Sequence, residues 1–138
     1  PGGYALVAVG EEDRWPALVV TQRYHPAGAG FAPGVLLVPE RRQLFIGAGT
    51  RLLAYQARTG GWRRDWIDET PVGFWGWRRH GEVVVMSAEL ELAAWDGDGR
   101  KLWSTFVEPP WTYGVTDGRV VLDVMGEIRT FDLGRGPA

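Results

Sequence analysis

Arg51-Leu52-Leu53-Ala54-Tyr55-Gln56, Glu91-Leu92-Ala93-Ala94-Trp95-Asp96 and Glu127-Ile128-Arg129-Thr130-Phe131-Asp132 are one short pattern written three times. The second copy lies 40 positions after the first, and the third lies 76 positions after the first. The matched columns are chemically alike: Leu/Leu/Ile, Ala/Ala/Thr, Tyr/Trp/Phe and Gln/Asp/Asp. Each copy runs into a turn carrying glycine (Gly60; Gly97 and Gly99; Gly134). Each is preceded by an apolar run: Leu44-Phe45-Ile46, Val83-Val84-Val85-Met86 and Val120-Val121-Leu122. Glu69-Thr70-Pro71 before one unit parallels Glu108-Pro109-Pro110 before the next. A repeat of this length, holding about four short strands per period, specifies sheets that stack because none can bury its own faces.

Working outward, strand signals fill the rest of the chain. Residues 4–9 and 17–24 read as an N-terminal pair joined by an acidic turn at 10–15, and 25–34 as a Gly/Pro-rich loop. Strands at 35–38, 43–47, 51–57 and 61–67 make the first unit; 72–77, 82–87, 89–95 and 101–107 the second; 111–115, 119–125 and 127–132 the third. Gly or Pro interrupts every window that would hold a helical period. The 20 Gly and 9 Pro supply turns while the 8 Trp favour strands. The fold class is therefore all-β: antiparallel, four-stranded, blade-like repeats in a partial or small β-propeller-like architecture. A single domain spans 1–138, with units at about 35–67, 72–107 and 111–133 plus N-terminal strands within 4–24. The second strand of each unit, covered on both faces, reads as continuous Val, Leu and Ile. The third is expected to alternate because it lies nearer the rim.

The segment Ala94-Trp95-Asp96-Gly97-Asp98-Gly99-Arg100-Lys101-Leu102-Trp103 resembles the quinoprotein (PQQ) type of β-propeller repeat, with the WD-type repeat second. The shared features are a strand, an Asp turn, a glycine, a basic residue and a Trp four after the glycine. Ala54-Tyr55-Gln56-Ala57-Arg58-Thr59-Gly60 is similar, but Arg64 stands where that Trp is expected, flanked by Trp62 and Trp66. Phe131-Asp132-Leu133-Gly134 matches only the start. The resemblance covers roughly 35–134 and marks a fold rather than an activity. About three units are present, whereas closed propellers have at least about 4 blades. Three resolutions follow: two chains sharing one ring as a homodimer, a compact non-propeller β structure, or a piece of a longer protein. An N-terminal strand completing the last unit is a further expectation.

Composition narrows the function. With 15 basic and 17 acidic side chains, net charge −2, neither nucleic acid nor an anionic membrane is an expected partner. No apolar run approaches the roughly 20 residues of a membrane span. There is no Cys, hence no disulfide and no thiolate metal site. Pro1-Gly2-Gly3-Tyr4 lacks a signal-peptide pattern, so a cytoplasmic location is expected, with a secreted or periplasmic one if a leader was removed. Lys101 is the only Lys among the basic residues, a bias associated with GC-rich bacterial genomes.

The densest chemistry lies in 61–81, where Trp-Arg-Arg occurs twice. Trp75, Trp77, Arg78 and Arg79 are binding candidates because Trp and Arg dominate interaction hot spots. Strand alternation places Trp75 and Trp77 on one face, with Phe74 and Gly76 on the other. Trp111 and Tyr113 share a face after Pro109-Pro110 and could join them in an aromatic surface. Against this stands packing between blades, which accounts for aromatic residues without function. Glu89 and Glu91 share a strand face, the spacing of a carboxylate pair, yet read better as a solvated edge. Asp96-Gly97-Asp98-Gly99 opens like a calcium loop, but Arg100 and Val107 stand where oxygen ligands are needed, so it reads as a hairpin turn. His25 and His80 have no metal-ligand spacing, Ser87 and Ser104 lie in strands, and Gly28-Ala29-Gly30 and Gly47-Ala48-Gly49 lack a phosphate-loop Lys.

No catalytic residue, metal or cofactor is assigned from these patterns. The leading expectation is a non-catalytic binding module with a protein partner, of inhibitor, immunity or assembly type. Glycan or small-ligand binding on the aromatic face is the alternative, and a fragment of a quinone-dependent dehydrogenase the third.

Overall fold

In the computed structural model, residues 2–25 and 32–138 are described; most of the Gly/Pro-rich loop, with Gly28-Ala29-Gly30, lies outside them. β1 (Gly3–Val9) and β2 (Leu18–Tyr24) form an isolated antiparallel hairpin. The first sheet follows the chain as β3 (Gly34–Val38), β4 (Gln43–Ala48), β5 (Arg51–Arg58) and β6 (Gly61–Glu69), with a single 3₁₀ turn at Pro39–Arg41 between its first two strands. The second holds β7 (Phe74–His80), β8 (Val83–Ala88), β9 (Glu91–Trp95) and β10 (Lys101–Phe106). The third holds only β11 (Trp111–Thr116), β12 (Arg119–Val124) and β13 (Glu127–Asp132). All pairs are antiparallel meanders, so each sheet has the shape of a blade.

The sheets stack in chain order, and alternation decides which side chain meets which neighbour. Leu44, Ile46 and Leu53 face the hairpin, meeting Val20 and the half-buried Val7 and Leu18. Phe45, Leu52 and Ala54, one residue out of phase, face the second sheet and meet Phe74, Met86 and Trp95. Val85, Leu92 and Ala94 then face the third sheet, meeting Val120, Leu122 and Phe131. The molecule is an all-β stack with a small propeller-like architecture.

The repeated pattern falls on β5, β9 and β13, the third strand in each sheet. Its aromatic column faces backwards every time: Tyr55 against the hairpin, Trp95 against the first sheet, Phe131 against the second. Two indoles from fourth strands answer it. Trp66 stacks on Trp95 at 5.0 Å and 14° and donates Nε1–H to the Gly99 carbonyl at 2.8 Å. Trp103 meets Phe131 edge-on at 5.1 Å and donates to the Leu133 carbonyl at 2.6 Å. Each sheet thus clasps the next by a ring contact and an indole bond to the turn beyond the aromatic. Trp66 pairs with Ala54 and Trp103 with Ala94, the same column of the repeat. The extra length between Tyr55 and Trp66 is taken up by a longer hairpin, while both hairpins carry a bulge at the same point (Asp65 here, Leu102 in the second sheet), so Trp66 is the counterpart that Arg64 displaces in the sequence. The turn itself is built for this role. Asp96 accepts amides from Asp98 and Arg100, Gly99 adopts φ +80°, and Gln43 and Arg41 donate to the Gly97 carbonyl. Asp132 caps the corresponding turn through the Gly134 and Arg135 amides.

Three expectations are corrected. The N-terminal strands do not complete the last sheet; they pair only with each other and pack at the opposite end, on the first sheet. The third strands of the first two sheets do not alternate between buried and exposed: Leu52, Leu53 and Ala54, and the whole run from Leu92 to Trp95, are buried, because neighbouring sheets cover both faces. Glu89 precedes β9 rather than sharing a strand face with Glu91, and both are half-buried; Glu91 accepts the Ser104 hydroxyl.

If the clasp holds the stack together, Trp103→Phe keeps the ring but strands the Leu133 carbonyl, and urea unfolding should show a loss of about 1–3 kcal/mol. Trp66→Phe should behave alike, whereas Trp15→Ala, at a side chain 94% exposed, should stay within about 0.5 kcal/mol.

Candidate functional site

The first strands of the sheets meet their neighbours in two different ways. Between the first and second sheets the meeting is flush. Gly34 and Gly47 form a cross-strand pair, and the Phe74 ring lies so close on it that a Cβ at Gly47 would overlap the ring. The corresponding pair in the second sheet is Gly76 and Ser87. Here the approaching first-strand residue is Trp111, and a bulge between Phe74 and Gly76 inserts Trp75 beside it. Trp75 and Trp111 stack at 5.2 Å and 10°, and Trp111 donates to the Glu89 carbonyl at 3.2 Å. A groove of about 310 Å³ remains, lined by Trp75, Gly76, Arg78, Ser87, Trp111 and Tyr113 together with Trp77 and Thr112.

The bulge redistributes the residues singled out by sequence. Strict alternation puts Trp75 and Trp77 on one face; the structure puts them on opposite faces. Trp77 joins Phe74 between the first and second sheets, with its ring 5.3 Å from Phe45 and 5.6 Å from Trp95. Arg79 points the same way and pairs with Glu40 of the first sheet, whose carboxyl it holds below the usual range. Arg41 and Glu82 make a second ion pair across the same seam. Trp75, Arg78, Trp111 and Tyr113 face the other seam and come together in the groove. Trp111 and Tyr113 do share a face, as alternation requires, with centroids 6.4 Å apart.

Sequence reasoning missed the polar floor of this groove. Tyr113 Oη lies 3.0 Å from His80 Nε2, with the two rings in edge-on contact at 5.7 Å. The Arg78 guanidinium sits 6.0 Å from the Tyr113 ring centroid, in cation–π range. Burial pushes the Tyr113 hydroxyl up from its ordinary value, against the opposing pull of Arg78 and of a hydrogen bond with Ser87. Burial, and secondarily the Arg78 charge, hold His80 below its ordinary 6.5. The available signal was the two-residue spacing of Arg78 and His80 on β7, which shares a face with Ser87 through the β7–β8 register. Among the described residues, Arg78 is the only charged one lining the groove, and the aromatic rings beside it supply apolar area. That arrangement can bind and orient an anionic or polar group next to an apolar one. Among the described residues, no group of three or more His, Cys, Asp or Glu side chains is placed to hold a metal ion. No helix among them is long and apolar enough to cross a membrane.

No protein-family model matches the sequence, and no curated protein matches it. Two solved structures are similar in backbone. One is KlHsv2 with loop 6CD replaced by a Gly-Ser linker, at 15% identity and a TM-score of 0.39, covering 73% of this chain and 35% of that one. The other is Hsv2 of Kluyvelomyces marxianus, at 13% identity and 0.40, covering 73% and 33%. The chain spans about a third of the length of these structures.

The depressed His80 gives the groove a pH signature. The unfolded chain takes up a proton near 6.5 while folded His80 resists it, so its contribution to stability is present above that pH and declines as pH falls through 6.5. Thermal unfolding followed from pH 8 to 5 should show this decline, and His80→Gln should flatten it.

Proposed function

We propose that this chain is a non-catalytic binding module whose partner is a protein, seated in the groove between the second and third sheets. The observation that carries the reading is the convergence there of Trp75, Trp111, Tyr113 and an exposed Arg78 around a cleft large enough for one or two side chains. These residue types combine rigid apolar area with a directional charge, and they account for much of the binding energy at protein interfaces. The framework beneath is stiff: β11 is paired along its length, and β7 is paired on both sides of its bulge at Trp75, so the groove is preformed. An acidic side chain of the partner opposite Arg78, with an apolar neighbour against Trp75, satisfies both halves of the site.

Carbohydrate stacking is the weaker reading. A sugar ring needs a broad open aromatic face, and Trp75 and Trp111 each spend one face on the other, with Trp111 only 8% exposed.

Selection of a displayed peptide library on the purified chain tests this. Peptides should be enriched whose affinity falls at least about tenfold, roughly 1.4 kcal/mol, on Trp75→Ala or Arg78→Glu but not on Arg119→Glu. Enrichment that ignores both groove substitutions would refute the reading, and glycan-array hits abolished by Trp75→Ala would favour the carbohydrate alternative.

A further inference from the structure

Among the described residues no sheet covers either end of the stack, and the two ends are not alike. Every internal sheet shows one face to the sheet before it and the other to the sheet after it. The third sheet's uncovered face is one that elsewhere meets a following sheet. Val121 stands in the column of Phe45 and Val85, and Ile128 in the column of Leu52 and Leu92. Those four are at most 1% exposed, whereas Val121 is 42% and Ile128 65% exposed. Exposure by itself says little, but here the two central positions of a buried interface stay apolar where no sheet covers them. Thr112 and Asp123 form the pair equivalent to Gly34–Gly47, the spot that receives Phe74 in the first sheet. Beside them lies an open groove of about 450 Å³, lined also by Trp111 and Met125.

The hairpin's uncovered face is of the opposite kind, one that elsewhere meets a preceding sheet. It carries Tyr4, Leu6 and Val19, at 74%, 69% and 55% exposure, with Arg23 across from Tyr4. Tyr24 and the His25 backbone lie against Gly49, which sets the Tyr4–Arg23 end of the hairpin at the same end of the stack as the Gly34–Gly47 pair. The Thr112–Asp123 groove occupies that end of the third sheet. The two bare faces are thus the two halves of one recurring interface, in matching polarity.

We propose that the third sheet's bare face receives the hairpin face of a second copy of this chain, head to tail. Leu6 and Val19 cover Val121 and Ile128, Tyr4 enters the groove at Thr112, and Arg23 comes opposite Asp123. Two copies joined at both such contacts hold eight sheets in a closed ring, within the usual range of about 4–8 blades. This interface borders the Trp75–Trp111 groove and shares Trp111 and Thr112 with it, but Trp75, Arg78 and Tyr113 line only that groove, so substitutions at Leu6, Ile128, Arg23 and Asp123 test it apart from the binding reading.

Sedimentation equilibrium of the purified chain tests it. The expected result is a reversible species of twice 15.3 kDa. Leu6→Asp and Ile128→Asp should each weaken association at least about tenfold with unchanged circular dichroism. An equimolar mixture of these two variants should associate one to one where neither does alone, because one of its two contacts keeps both Leu6 and Ile128. Arg23→Glu and Asp123→Arg form a gentler pair: each alone weakens the dimer, and the doubly exchanged chain restores it. A wild-type monomer at up to about 1 mM, an open string of copies, a dimer indifferent to these substitutions, or a mixture that stays monomeric would overturn the proposal.

Discussion

Two indole rings hold this stack in register. Trp66 and Trp103 each lie on a third-strand aromatic of the next sheet and donate a hydrogen bond to the turn just beyond it. Tryptophan suits the position because it joins a large apolar surface to a single donor. The ring supplies burial, which is nondirectional, while the N–H fixes where along the neighbour that burial occurs. A sheet in a stack has no covalent reason to choose one offset over another, and the bond to Gly99 or Leu133 makes the choice. The Asp96 and Asp132 turns are the receiving halves of the device, held rigid by amide-to-carboxylate bonds.

The groove follows from where the clasp is not. The indole contacts lie on the fourth strands; the first strands meet through a different rule. At the first seam two glycines clear space and Phe74 fills it. At the second, Ser87 stands in the place of Gly47, and the bulge adds Trp75 to the same space. Trp111 therefore stacks on Trp75, and a polar-floored cleft opens beside it. One seam is structural and the other is partly free because of one side chain and one extra residue.

Much of this was legible in the chain. The strands of all three units lie within a residue or two of their expected bounds, except that β7 runs three residues further, to His80, and the Tyr55, Trp95 and Phe131 column marks equivalent strands as read. A turn residue or an apolar run announces itself locally, and a repeat announces itself by comparison with its own copies. The candidate site was half legible: Trp75, Arg78, Trp111 and Tyr113 meet, while Trp77 and Arg79 are taken by the other seam. His80 and Ser87 went unassigned because their significance depends on neighbours more than 25 residues away in sequence.

By itself the sequence determined that the protein is a series of antiparallel blade-like sheets, because alternation, turn chemistry and internal repetition are properties of neighbouring residues. Only the tertiary structure decided which face each aromatic takes and where the hairpin docks. A bulge shifts alternation by one residue and turns Trp75 away from Trp77; Gly76 within the strand permits it, but only the packing of the two seams shows that it occurs. The hairpin's place at the front of the stack rests on Val20 meeting Leu44 and Ile46, a choice set by the shape of two surfaces and not by either segment alone.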